Sequence, residues 1–164
     1  MPKPITPKPN LTIQKAEAPD IEAVYKIEIK ESSHPWKKNY FFAEITNDIS
    51  HFYVCRDLES GDIAGYIVFW IIDDILEIHN LAVKGPFKRK GIATALLNFV
   101  VTLAGKEGVK EMFLEVRESN QKAAALYEKT GFKLKGRRKD YYRNPPEDAL
   151  IYCKVLPPAA SKGS

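Results

Sequence analysis

Cysteine is scarce in this chain: Cys55 and Cys153 are the two present among 164 residues, each inside an apolar, strand-like stretch. That placement predicts buried, reduced thiols, and neither zinc ligation nor any other metal site is expected. Long apolar runs are lacking as well. None approaches the ~18 residues needed to cross a bilayer, and Met1-Pro2-Lys3-Pro4 has no apolar signal core, which predicts a cytoplasmic protein with no membrane partner. An excess of one charge is also missing. Twenty-five Lys and Arg against 21 Asp and Glu give a formal +4, too mild to mark a nucleic-acid binder, so no direct nucleic-acid binding is expected. Internal repeats and low-complexity blocks are absent. So are the G-x-x-x-x-G-K-[ST] phosphate loop and the G-x-G-x-x-G dinucleotide fingerprint.

What is present is the balance of one soluble domain, with 45% hydrophobic and 28% charged residues. Three prolines among lysines make residues 1–10 an expected flexible tail, residues 157–164 are expected to form another, and the domain runs over 11–156. Pattern and breakers predict a strand at 11–16, helices at 19–30 and 36–47, and strands at 50–57, 62–72 and 75–84. A helix at 91–105, a strand at 110–117, a helix at 120–130 and strands at 132–140 and 148–155 complete the series. That order implies a mixed α/β or α+β sheet, and the chain is expected to be a monomer or weak dimer.

The clearest element follows Gly91, because Ile92, Ala95, Leu96, Phe99, Val100 and Leu103 share one helical face. Asn120 or Ser119 suits the cap of the next helix, and Gly131 suits the left-handed position past its end. The strand Met112-Phe113-Leu114-Glu115-Val116 is apolar enough to be covered on both faces, which would give Glu115 an unusual setting.

Leu81-Ala82-Val83-Lys84-Gly85-Pro86-Phe87-Lys88-Arg89-Lys90-Gly91-Ile92-Ala93-Thr94 runs from a strand through a basic turn into that clearest helix. Unpaired N–H groups at a helix start, the positive end of the macrodipole and three adjacent cations favour an anion. A solvated basic turn is the plain alternative, and the loop alone leaves both open.

Lys88-x-x-Gly91-x-Ala93 resembles the [Q/R]-x-x-G-x-[G/A] motif of the GNAT acetyltransferases, with lysine in place of the usual Gln or Arg. A second and longer match follows in order. Leu114-Glu115-Val116-Arg117-Glu118-Ser119-Asn120 and then Ala123-x-x-Leu126-Tyr127 through Gly131-Phe132 resemble the string L-E-V-R-x-S-N-x-x-A-x-x-L-Y-x-x-x-G-F. Arg138-x-x-Tyr141-Tyr142 with Glu147-Asp148-Ala149, and Ser33-His34-Pro35-Trp36 near the start, resemble the RimI-type N-terminal acetyltransferases within that family. The resemblance covers residues 11–155.

It implies a central mixed, mostly antiparallel, twisted sheet of about seven strands flanked by about four helices, and acetyl-CoA as cosubstrate. Leu81, Ala82 and Val83 would hold the acetyl and pantetheine end through backbone groups, a backbone N–H there polarising the carbonyl. Lys88, Arg89, Lys90, Gly91, Ile92, Ala93 and Thr94 would hold the diphosphate, with Asn120 as a further cofactor contact. Acetyl transfer also needs a neutral amine and a proton for the leaving thiolate. An α-amine of pKa near 7.7–8.0 is mostly protonated at neutral pH, so a carboxylate is needed. By family position that base is Glu115; Glu77, on the strand leading into the turn, is its rival. Tyr127 would protonate the thiolate. Tyr141 and Tyr142, with Glu77, would line the peptide side, while His34 and His79 are read as structural. Neither cysteine sits beside a histidine or at a family catalytic position, so direct attack in a ternary complex is expected rather than an acyl-enzyme. The implied acceptor is a protein N-terminus, with ribosomal proteins the family's best-known class. A small-amine acetyltransferase and a non-catalytic acyl-CoA-binding or ribosome-associated module are the alternatives.

Overall fold

Apolar side chains recur at Ile21, Val24 and Ile27 of helix α1 (Ile21–Glu31), the spacing that turns one helical face inward, and all three are buried. In this computed structural model, which describes residues 10–158, α1 follows strand β1 (Leu11–Lys15) and a single 3-10 turn (Ala18–Asp20). Helix α2 (Lys38–Thr46), strands β2 (Ser50–Asp57), β3 (Ile63–Ile72) and β4 (Ile75–Val83), and a second 3-10 turn (Gly85–Phe87) come next. Then follow α3 (Ile92–Lys106), β5 (Glu111–Arg117), α4 (Gln121–Lys129), β6 (Lys133–Arg143) and β7 (Pro146–Val155). The strands form one seven-stranded sheet in the order β1-β2-β3-β4-β5-β7-β6. It is mixed: β4 and β5 run parallel, while β1 with β2, β5 with β7 and β6 with β7 run antiparallel. Of the expected tails only Asn10, Pro157 and Pro158 fall among the described residues. No helix among those residues is long and apolar enough to cross a membrane.

Contacts divide the chain into two compact units, one holding the residues up to Val68 with Asn80–Leu96, the other Phe69–His79 with the residues from Leu97 onward. In the first unit Phe41 centres an aromatic cluster, 5.2 Å from Trp36, 5.8 Å from Phe52 and 5.6 Å from Tyr66 between ring centroids. Buried in the same core is a carboxylate, Glu28, which accepts hydrogen bonds from Tyr66 Oη (2.9 Å), Asn80 Nδ2 (2.8 Å) and the Trp36 N–H (3.1 Å). Three donors, from β3, β4 and the segment before α2, satisfy the buried acid. Gly65 of β3 lets β4 approach, since a Cβ there would stand 2.9 Å from the Ala82 carbonyl and 3.3 Å from Ile92 Cγ2.

In the second unit β5 pairs with β7 from Glu111 opposite Val155 to Arg117 opposite Ala149. Met112, Leu114 and Val116 are buried, while the alternate residues are more open. The strand is therefore covered fully on one face only, against the expectation from its apolar run; Phe113 is half-buried and Glu115 exposed on the other. Gly131, at φ +97°, takes the left-handed position after α4. The β6–β7 hairpin is longer than its pattern predicts, because a bulge carries residues 139–141 opposite Asp148 without ending the pairing, and β6 continues to Arg143.

Candidate active site

The basic turn belongs to the first unit. Lys84 N–H bonds the Ala64 carbonyl (2.8 Å), holding the end of β4 to β3, and the 3-10 turn then closes through Phe87 N–H to Lys84 O (2.9 Å). Arg89 at φ +63° and Gly91 at φ +78° bend the backbone into α3. The left-handed angle is the reason for glycine at 91; a Cβ there would meet no atom within 4 Å, so the space before it is open. The helix's own bonding begins with Ala95 N–H to Gly91 O (2.9 Å), leaving the N–H groups of Ile92, Ala93 and Thr94 without a partner inside the helix. Leu81, Ala82 and Val83 present half-buried backbone along β4.

The cations around this turn are not equivalent. Lys88 is ion-paired with Glu31 of α1, whose side chain is only 13% exposed, and Lys84 lies 3.8 Å from Asp62. Lys90 Nζ sits 5.7 Å from the Phe87 ring centroid. Among the described residues no carboxylate pairs with Arg89.

The Glu115 cluster belongs to the second unit. Glu115 Oε1 is 2.9 Å from Arg138 Nε. The Glu115 charge, then burial, push the Tyr141 phenol above its ordinary pKa. Tyr142 packs edge-on to Tyr141 with centroids 5.1 Å apart and takes the Arg117 guanidinium over its ring at 4.0 Å. Burial, then the Glu115 charge, raise its pKa.

Two acids of β7 fix this arrangement. Asp148 accepts from the Asp140 N–H (2.8 Å) inside the bulge, where Asp140 has φ +52°, and from Arg137 (2.8 Å). Glu147 accepts from the Ser119 N–H (2.5 Å) and from Arg117 (3.3 Å), anchoring the turn before α4. These contacts hold both carboxyls below the usual range, chiefly the Ser119 bonds for Glu147 and the Asp140 N–H for Asp148.

Tyr127 of α4 is buried and packs edge-on to Phe132 at 5.7 Å. Burial pushes its phenol well up, so it stays protonated. It is not joined to the Glu115 cluster by any recorded bond. Asn120 caps α4, its Oδ1 accepting from the Ala123 N–H at 3.2 Å. Glu77 lies 3.5 Å from His79 Nε2, with the Trp70 ring 4.2 Å from that imidazole, and lines a small cavity with Trp70, Ile72 and Asp74. Cys55 is buried and its thiol is pushed up to about 11 by burial, which leaves it a neutral, poor nucleophile.

Two contributors, Gly65 and Glu28, escape motif reading, as do the partners of three others. Gly65 looks like any strand glycine and Glu28 like one more acid on a charged helix; only packing shows their parts. Arg138 and the Glu147-Asp148 pair stand inside a recognisable string, but their partners are distant in sequence.

The first unit thus carries a strand, a tight turn and an open helix start, and the second a carboxylate and phenols on an exposed strand face. The acetyltransferase (GNAT) family model matches residues 21–132. The chain is 34% identical over 145 residues, 88% of its length and 95% of the relative's, to a Bacillus subtilis protein provisionally named a [ribosomal protein bS18]-alanine N-acetyltransferase. Escherichia coli (strain K12) has a relative of that name, 32% identical over 142 residues, 85% of this chain and 94% of its own length. The crystal structure of the Escherichia coli ribosomal-protein-S18-alanine N-acetyltransferase superposes with TM-score 0.83 at 30% identity, covering 93% of this chain and 97% of that one. The chain belongs to the GNAT family, has the GNAT fold and is an acetyl-CoA-dependent N-acetyltransferase of RimI type.

Proposed function

We propose that the protein transfers the acetyl group of acetyl-CoA to the α-amino group of a protein N-terminus, and that a ribosomal protein beginning with alanine is its substrate. The relatives' names support the substrate. The observation that carries the reading is the open face of β5, where Glu115 is paired with Arg138 of the bulged β6–β7 hairpin and its charge raises the pKa of the Tyr141 phenol. A lone amine needs only a base; a hairpin with two tyrosines beside that base suits an extended peptide.

In this mechanism the open N–H groups of Ile92, Ala93 and Thr94, with Arg89, bind the diphosphate, and the Leu81–Val83 backbone aligns the pantetheine arm. Glu115 takes one proton from the α-ammonium. The amine nitrogen then bonds to the thioester carbon, the carbon–sulfur bond breaks, Tyr127 gives its proton to the departing sulfur, and the second proton of the attacking nitrogen returns to the Tyr127 phenolate through water, so that the products are the amide and the free thiol of CoA. Lys88, engaged by Glu31, steadies the turn rather than leading the anion contact. Glu77, placed with His79, assists the acceptor side and is not the principal base.

Incubation with acetyl-CoA and peptides beginning with Ala, Ser or Met, followed by mass spectrometry and a CoA-release assay, tests this reading. Acetylated α-amine, greatest for Ala, is the expected result. Turnover of polyamines, amino acids or aminoglycosides with inert peptides would replace it by a small-amine enzyme. Full biological effect from a chain carrying Glu115→Gln and Tyr127→Phe would replace it by a non-catalytic module.

A further inference from the structure

Arg137 and Arg138 are neighbours in β6 but are held in different ways. Arg137 Nη1 donates to Glu118 (2.7 Å) and to Asp148 (2.8 Å), so two carboxylates lock it to the hairpin. Arg138 has one carboxylate partner, Glu115, engaged through Nε, and its side chain is 57% exposed. Its guanidinium carbon stands 5.6 Å from the Tyr141 ring, the second of its recorded contacts. An exposed single pair of this kind is worth little and exchanges readily.

The partner it has, however, is the group that must meet an ammonium. An acceptor N-terminus arrives as a cation, and a guanidinium left on Glu115 would repel it and occupy the oxygen that takes the proton. We propose that Arg138 is the resting counter-ion of Glu115, exchanged for the acceptor's α-ammonium when the peptide docks. The inference rests on the reading of Glu115 as the proton acceptor. Charge is conserved through the cycle. Arg138 keeps its proton and swings to solvent, the ammonium replaces it, and one proton passes to Glu115 as the amide nitrogen forms. After the neutral acetylated end leaves, the carboxyl gives that proton to water and the guanidinium returns to the carboxylate, which resets the site. The exchange also selects the acceptor: a cation displaces a cation, whereas an already acetylated end has nothing to offer Glu115.

Calorimetry on the full chain loaded with CoA tests this, with an Ala-initiated peptide and its Nα-acetylated counterpart as the two titrants. In Arg138→Gln the free-amine peptide is expected to bind about two- to fivefold tighter, the factor an exposed ion pair is worth, while the acetylated peptide is unchanged. In steady state its peptide KM falls without an equal rise in kcat. Arg138→Lys, which restores a competing cation, returns the affinity toward wild type. Equal or weaker binding of the free-amine peptide to Arg138→Gln, or the same gain for the acetylated peptide, would overturn the exchange and leave Arg138 as a strut. If the wild-type chain acetylates no peptide, or Glu115→Gln turns over at the full rate, the underlying reading fails and this inference with it, an outcome seen without any Arg138 variant.

Discussion

The turn before α3 and the face of β5 solve their tasks with different materials. At the turn the proposed anion contact falls to main-chain N–H groups and a glycine's left-handed backbone, and two of the nearby lysines are already committed to Asp62 and Glu31. On β5 the work falls to side chains: a carboxylate, a guanidinium and phenols whose roles depend on each protonation state. The difference teaches where each region is vulnerable. Main-chain recognition survives most side-chain exchanges and fails when the backbone is displaced; side-chain chemistry fails at a single atom.

The largest effect that would sharpen this contrast is on Tyr127. Tyr127→Phe keeps the ring against Phe132 and removes only the hydroxyl, so kcat is expected to fall about 10²- to 10⁴-fold while calorimetry shows acetyl-CoA binding retained. Glu115→Gln should lower kcat by roughly 10²-fold, with water able to carry part of the proton transfer, in the same pair of assays. Gly65→Ala attacks the other region through its backbone. A methyl 2.9 Å from the Ala82 carbonyl must move β4, and an overpacked site of this kind costs about 1–3 kcal/mol of stability in a thermal melt, together with weakened acetyl-CoA binding.

A smaller effect is expected at the hairpin. Asp148→Asn loosens the bulge at Asp140 and should raise peptide KM severalfold with little change in acetyl-CoA affinity, measured by steady-state kinetics. The pH behaviour has the same origin and a definite sign. Glu147 and Asp148 have carboxyls depressed by folding, so their contribution is fully present above the unfolded carboxylate range and disappears as pH falls through the lower folded values. Peptide KM should therefore hold steady down to about pH 4 and rise only below it. The smallest effect separates two cations: Lys88→Ala should weaken acetyl-CoA binding less than Arg89→Ala, because Lys88 is held by Glu31.

Much of this was readable before any coordinates, for reasons that differ between the regions. The helix from Ile92 to Lys106 declares itself through its period, and Ile92, Leu96 and Val100 are indeed buried. Asn120 as a cap and Gly131 at positive φ follow from local rules that need no tertiary context. The setting of Glu115 does not. An apolar run such as Met112–Val116 reads the same whether one or both faces are covered, and the half-open face is set by what packs on the sheet. Arg138 was visible as part of a string, but its partner lies 23 positions away in the chain, beyond any pattern of spacing. Lys88 illustrates the converse: its place in the motif suggests an anion contact, and only the approach of Glu31 from α1 shows it already paired.

The most direct test is a calorimetric titration of acetyl-CoA into the chain carrying both Glu115→Gln and Tyr127→Phe. A donor held by backbone and a chemistry done by side chains predict binding within about twofold of wild type with turnover lost. Loss of the binding heat from correctly folded protein would contradict that division.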